Sequence, residues 1–117
     1  MGGPERRKDP RANVWLPVRY RLLPESRVLW DNGTVTDFSA GGLRLLCDRR
    51  IEPESQVEFE LNPTKRERAY VLRGTVMWVK PSAAGCECGV MFIDVSPDQQ
   101  FELDEIVQFL LRKQAQP

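Results

Sequence analysis

The sequence predicts an all-β domain with one helix: a six-stranded antiparallel β-barrel followed by a C-terminal α-helix. Three observations carry this expectation. Apolar and polar residues alternate in a series of segments from Val14 to Phe92, the period of a half-buried strand. One long segment of this kind holds an internal glycine, Gly74, of the sort that marks a bend where a sheet curls. The period then changes from strand to helix at Ser96. Six short curled strands favour closure, because a closed sheet has no exposed edge.

The first strand is read in "NVWLPVRYRLL", where Val14, Leu16, Val18, Tyr20 and Leu22 share one face. Pro17 lies on the other face and points to an edge strand or a bulge. "RVLWDNGTVTDFS" contains Asn32-Gly33, read as a tight turn or as a bulge within a long strand. "GLRLLCD" places Leu43, Leu45 and Cys47 on one face, and "QVEFELN" places Val57, Phe59 and Leu61 inward with Glu58 and Glu60 outward. The last two strands fall in "AYVLRGTVMWVK" and in "CECGVMFIDV", where Cys86, Cys88, Val90 and Phe92 share a face. Ser96 then supplies a helix N-cap, Pro97 suits the first helical position, and Gln99 completes a capping box. Leu103, Ile106, Val107 and Leu110 recur at helical spacing, and Arg112 and Lys113 suit the negative end of the helix dipole. The expected organisation is a flexible basic arm over residues 1–12, a barrel over 13–95, and a helix over 96–113 packed on the barrel.

The chain of 117 residues is long enough for one domain with one core. It contains no apolar run of membrane-spanning length and no apolar segment of the secretory kind at its start, so a cytoplasmic protein without membrane insertion is expected. The odd number of cysteines, three, agrees with a reducing compartment. Net charge is zero but uneven. Arg6, Arg7, Lys8, Arg11, Arg19 and Arg21 crowd the N-terminal part, while every charge from Glu87 to Glu105 is negative. A neutral chain with a basic head is poorly suited to general nucleic-acid binding, yet it can capture a small anion locally.

Catalytic signatures are missing. The sequence has no histidine, which removes the commonest general base and zinc ligand. Cys86 and Cys88 are one residue apart, too close for the usual zinc spacing, and read as buried packing residues; no metal or cofactor is expected. There is no phosphate-binding glycine loop, no serine elbow and no metalloprotease helix motif, so no enzyme is expected.

Two stretches exceed what folding alone requires. "RRKDPR" spaces Arg7 and Arg11 by three residues, with Arg6 just before them. "DFSAGG" offers Asp37, Ser39, Gly41 and Gly42 in six residues. Taken alone, the second reads as a turn, in which Asp and Ser bond nearby backbone and glycine takes positive φ. Together, R-x-x-x-R followed by D-x-S-x-x-G resembles the PilZ domain. "GGLRLL", "GTVMWVK" and "CGVMFIDVS" resemble further strands of that family in the same order, so that the resemblance covers almost the whole chain.

The resemblance implies a bacterial receptor for the second messenger cyclic di-GMP, bound between the arginine arm and the D-x-S-x-x-G strand. Arginine forks suit phosphate oxygens and the O6/N7 edge of guanine, which fits Arg7 and Arg11. Asp37 would accept from guanine N1–H and N2–H and so discriminate for guanine. Ser39 would bond phosphate or the guanine amino group, and Gly42 would let the ligand approach the backbone. Arg6 would stack on a base, an arrangement that fits an intercalated ligand pair. Trp78 is either a ligand contact at the rim or a packing residue. Neutralised by the phosphates, the arm would fold over the barrel mouth, and the signal would pass to a partner protein. The alternative implied by the family is an adaptor that binds proteins and no nucleotide. Trp15, Arg19 and Arg21 on one strand face suggest a single-strand nucleic-acid surface, which zero net charge opposes.

Overall fold

A computed structural model describes residues 10–23, 30–62, 70–83 and 85–115. Six strands form a closed barrel: β1 (Arg11–Leu23), β2 (Asp31–Ser39), β3 (Gly42–Cys47), β4 (Gln56–Leu61), β5 (Tyr70–Ser82) and β6 (Gly85–Ile93). Around the barrel the order is β1-β2-β3-β6-β5-β4, every ladder is antiparallel, and the β1–β4 ladder closes it. Of the inward positions read from the alternation, Tyr20, Leu45, Phe59 and Cys88 are among those fully buried, while Val14, Leu16 and Leu22 are partly buried against the same core.

Two local readings are corrected by the pairing, and a third gains a partner. Asn32-Gly33 is neither a turn nor a bulge: both residues sit inside β2, paired with Arg19 and Val18 of β1. The strand begins at Arg11, inside the segment assigned to the arm, because Arg11 pairs with Ser39 and Ala12, fully buried, pairs with Phe38. The pattern gave no notice of this, since Ala12 is the only apolar residue between Met1 and Val14. Glu58 points outward as expected, yet it is buried beneath the guanidinium groups of Arg21 and Arg73.

Pro17 is accommodated by a local edge within the closed barrel. It pairs with Thr34 on one side, while the ladder to β4 starts only at Arg19, so the missing N–H costs no bond on that side. A register shift between Asn13 and Leu16 adds the bulge that the proline also suggested. Gly74 marks a close approach of β5 to β6: a Cβ there would collide with the Val90 side chain and come within 2.8 Å of the Met91 carbonyl oxygen.

Helix α1 (Pro97–Ala115) starts with the expected reciprocal cap. Gln99 N–H donates to Ser96 Oγ at 3.1 Å, and Ser96 N–H donates to Gln99 Oε1 at 3.1 Å. Leu103, Ile106, Val107 and Leu110 are buried where α1 packs on β1 and β2. Each contributes about 1.5–3 kcal/mol on burial, which docks the helix beside the loop between β2 and β3. Among the described residues no helix is long and apolar enough to cross a membrane.

Candidate functional site

The β2–β3 connection, Ala40-Gly41, is held from three sides. Ser39 Oγ accepts from Gly41 N–H at 3.2 Å and donates to the Gly42 carbonyl at 3.3 Å. Phe92 N–H of β6 donates to the Gly41 carbonyl at 2.9 Å, and Gln100 of α1 donates to the Ala40 carbonyl at 3.1 Å. The stretch does turn by serine chemistry, but neither Gly41 nor Gly42 takes a positive φ. Gly42 is required for another reason. A Cβ at that position would run into the Val90 carbonyl oxygen of β6, so the β3–β6 contact by itself requires glycine there.

The barrel pairing sets a transverse row of residues. Asp37 of β2 lies opposite Asn13 of β1 and Arg44 of β3; Arg44 lies opposite Gly89 of β6; Gly89 lies opposite Trp78 of β5. Directly opposed residues share a sheet face, so the side chains of Asp37, Arg44 and Trp78 rise from the outer surface in one line. Ser39 stands on the same face two residues from Asp37, opposite Arg11. From there Arg11 bonds the Asp37 carboxylate diagonally. Asp37 is buried by this contact, with 9% of its side chain exposed against 40% for Arg11.

A groove of about 460 Å³ runs along this row, lined by Arg11, Ser39, Gly41, Gly42, Arg44 and Trp78, with Met77 and Met91 at its apolar edge. Its size falls in the range of small-molecule sites. Two guanidinium groups line it and, among the described residues, no carboxylate does, which favours an anion. The Trp78 indole is 39% exposed and lies across Gly89, where a Cβ would strike the ring. The Arg44 guanidinium and the Lys80 ammonium each stand 5.8 Å from the Trp78 ring centroid, and Glu87 holds both, at 3.6 and 3.5 Å. The ring is thus fixed as a flat wall of the groove.

Of the residues singled out in the sequence, Arg11, Ser39, Gly41, Gly42 and Trp78 line the groove, and Asp37 sits beneath Arg11. Arg6 and Arg7 lie outside the described residues. Arg44, Met77 and Met91 were not foreseen. A signal existed for Arg44: in "GGLRLL" it stands two residues after Gly42, hence on the same outward face.

A closed six-stranded barrel with an anion-favouring groove across β2, β3, β6 and β5 defines a small binding domain. The PilZ domain family model matches residues 5–112, and the chain belongs to that family. Solved structures agree in fold. The PilZ domain with c-di-GMP of YcgR from Escherichia coli has a TM-score of 0.75 at 15% identity, over 94% of this chain and 95% of that one. A pathogenic protein of Xanthomonas campestris, described as a tetrameric PilZ domain assembled through a helical bundle, has a TM-score of 0.77 at 14% identity, covering 94% and 90%. The Bacillus subtilis inhibitor of motility (MotI/DgrA) has a TM-score of 0.70 at 17% identity; 95% of this chain matches 52% of that one. A search of curated proteins finds no match.

Proposed function

We propose that this chain is a cyclic di-GMP receptor whose ligand lies in the groove between Arg11 and Trp78. The observation that carries the reading is the convergence of Arg11, Asp37 and Ser39 on the outer face of β1 and β2, beside a groove lined by guanidinium groups and a fixed indole. One family relative, the YcgR PilZ domain, is a complex with c-di-GMP. In this reading the phosphodiesters attract Arg11 and Arg44, a guanine stacks on the Trp78 wall, and the Watson–Crick edge of guanine takes the Asp37 carboxylate from Arg11. Arg6 and Arg7 then close on the ligand from the N-terminal side. With Arg6 stacked on a base, the site takes an intercalated pair of ligands. The bound state signals to a partner protein in the cytoplasm, and no chemistry is performed on the ligand.

The test is calorimetric titration of the full chain with cyclic di-GMP, beside Arg11→Ala. Micromolar or tighter binding that the variant weakens by roughly ten- to a hundredfold supports the site. Stoichiometry near two supports the pair, and stoichiometry near one removes it. No binding by folded wild-type protein overturns the receptor reading and leaves the protein-binding adaptor.

A further inference from the structure

All three cysteines of the chain lie on β3 and β6, at the end of their shared ladder away from Gly42. The β3–β6 ladder begins at Gly42 opposite Met91, beside the groove, and ends at Cys47 opposite Cys86. Five residue steps separate the two ends, roughly 17 Å along the strand. Cys47, Cys86 and Cys88 are all buried, and all face the barrel interior.

Their mutual arrangement suits bond formation. Directly opposed residues of an antiparallel pair have Cα atoms about 4.5 or 5.5 Å apart, and both separations fall within the span of a disulfide. Cys47 and Cys86 are such a pair; Cys88 is the diagonal neighbour. In its neutral form the Cys47 thiol is held at 3.4 Å from the Arg49 carbonyl and 3.9 Å from that of Cys86. The buried Tyr20 hydroxyl adjoins it. Hydrogen bonding from Cys88 favours the Cys47 thiolate, against the opposing effect of burial, and lowers its pKa to about 6. Cys88 itself is pushed strongly upward, first by its bond to Cys47 and then by burial, so it remains a donor. Cys86, the residue opposite Cys47, lines a second groove of about 440 Å³, flanked by Arg49, Arg50 and Lys80.

We propose that Cys47 and Cys86 are a peroxide-responsive dithiol, which hydrogen peroxide converts to a cross-strand disulfide. The Cys47 thiolate attacks one peroxide oxygen; the O–O bond breaks and hydroxide leaves, taking up a proton as water. Cys47 is then a sulfenic acid. The Cys86 sulfur attacks the Cys47 sulfur, the S–O bond breaks, and the departing hydroxide leaves as water with the Cys86 proton. Two thiols lose two electrons and one peroxide becomes two waters. The bond fastens β3 to β6, the strands that carry Gly42, Arg44 and Met91 of the ligand groove. This site does not depend on the nucleotide reading.

The experiment treats the folded full chain with hydrogen peroxide, alkylates residual thiols after unfolding, and maps peptides without reduction. Cleavage after Glu87 separates Cys86 from Cys88. The expected product is a monomer in which Cys47 is linked to Cys86, Cys88 is alkylated, and dithiothreitol reverses the link. In Cys86→Ser the Cys47 sulfenic acid accumulates and is trapped by dimedone. Three free thiols after peroxide, a Cys47–Cys88 link, or links only between chains would each overturn the proposal. If a variant fails to fold, the wild-type map alone decides.

Discussion

The Arg11 guanidinium grips the Asp37 carboxylate across the β1–β2 ladder, joining residues 26 positions apart in the sequence. The contact is one-sided: Asp37 is almost enclosed and Arg11 remains partly open to solvent. The carboxylate assigned to guanine is therefore already satisfied before ligand arrives, and binding must exchange one partner for another. Removing Arg11 leaves a nearly buried carboxylate unpaired, so Arg11→Ala is expected to lower stability by about 1–3 kcal/mol in urea unfolding. Arg19→Ala serves as the comparison, because its pair with Glu60 is far more exposed and such pairs contribute about 0–1 kcal/mol. Equal, small losses for both variants would show that the Arg11 contact is an ordinary surface pair.

Trp78 offers a separate handle on the groove. Its ring is fixed by Gly89 beneath and by Arg44 and Lys80 beside it, so a base can stack there without ordering the indole first. Stacking of a base on an aromatic ring contributes about 1–3 kcal/mol, so Trp78→Ala is expected to weaken cyclic di-GMP roughly ten- to a hundredfold. Trp78→Phe should recover part of that loss. Titration of both variants checks this, and an unchanged affinity for the alanine variant would assign Trp78 to packing alone.

Gly42→Ala tests the packing of β3 on β6 rather than ligand contact. The added methyl group meets the Val90 carbonyl oxygen, a backbone atom that cannot swing aside. Overpacking of this kind costs about 1–3 kcal/mol, visible as a lower thermal midpoint in the absence of ligand. A variant that keeps the wild-type midpoint and loses only ligand affinity would instead support Gly42 as a ligand-approach position.

The fold was legible because its main determinants are local. Alternation marks Val57, Phe59 and Leu61 as inward wherever the strand lies, and the Ser96–Gln99 cap needs only three residues of separation. What depends on which strands become neighbours was not legible. The burial of Glu58 needs Arg21 from β1 and Arg73 from β5. The reason for glycine at position 42 lies in Val90, and the line from Asp37 through Arg44 to Trp78 exists only once β3 and β5 flank β6. The motif residues could be recognised in the sequence by spacing, but their shared face follows from the β1–β2 register, which shifts between Asn13 and Leu16.

The cysteine end of the barrel predicts a pH dependence of stability. Cys47 has its pKa lowered from 9.0 to about 6, chiefly by hydrogen bonding from Cys88. Between these values the unfolded chain holds a proton that the folded chain has released, so stability rises with pH across that interval. The contribution is fully present above about pH 9 and is lost as pH falls through about 6. At still higher pH the trend reverses. Tyr20 and Cys86 are pushed up mainly by burial, and Cys88 mainly by its bond to Cys47; all three ionise more readily in the unfolded chain. Urea midpoints measured in reducing buffer from acid to alkaline pH should therefore pass through a maximum on the alkaline side of neutral. Cys47→Ala should flatten the rising limb between about pH 6 and 9. A rising limb that survives this substitution would place its origin in a group other than Cys47.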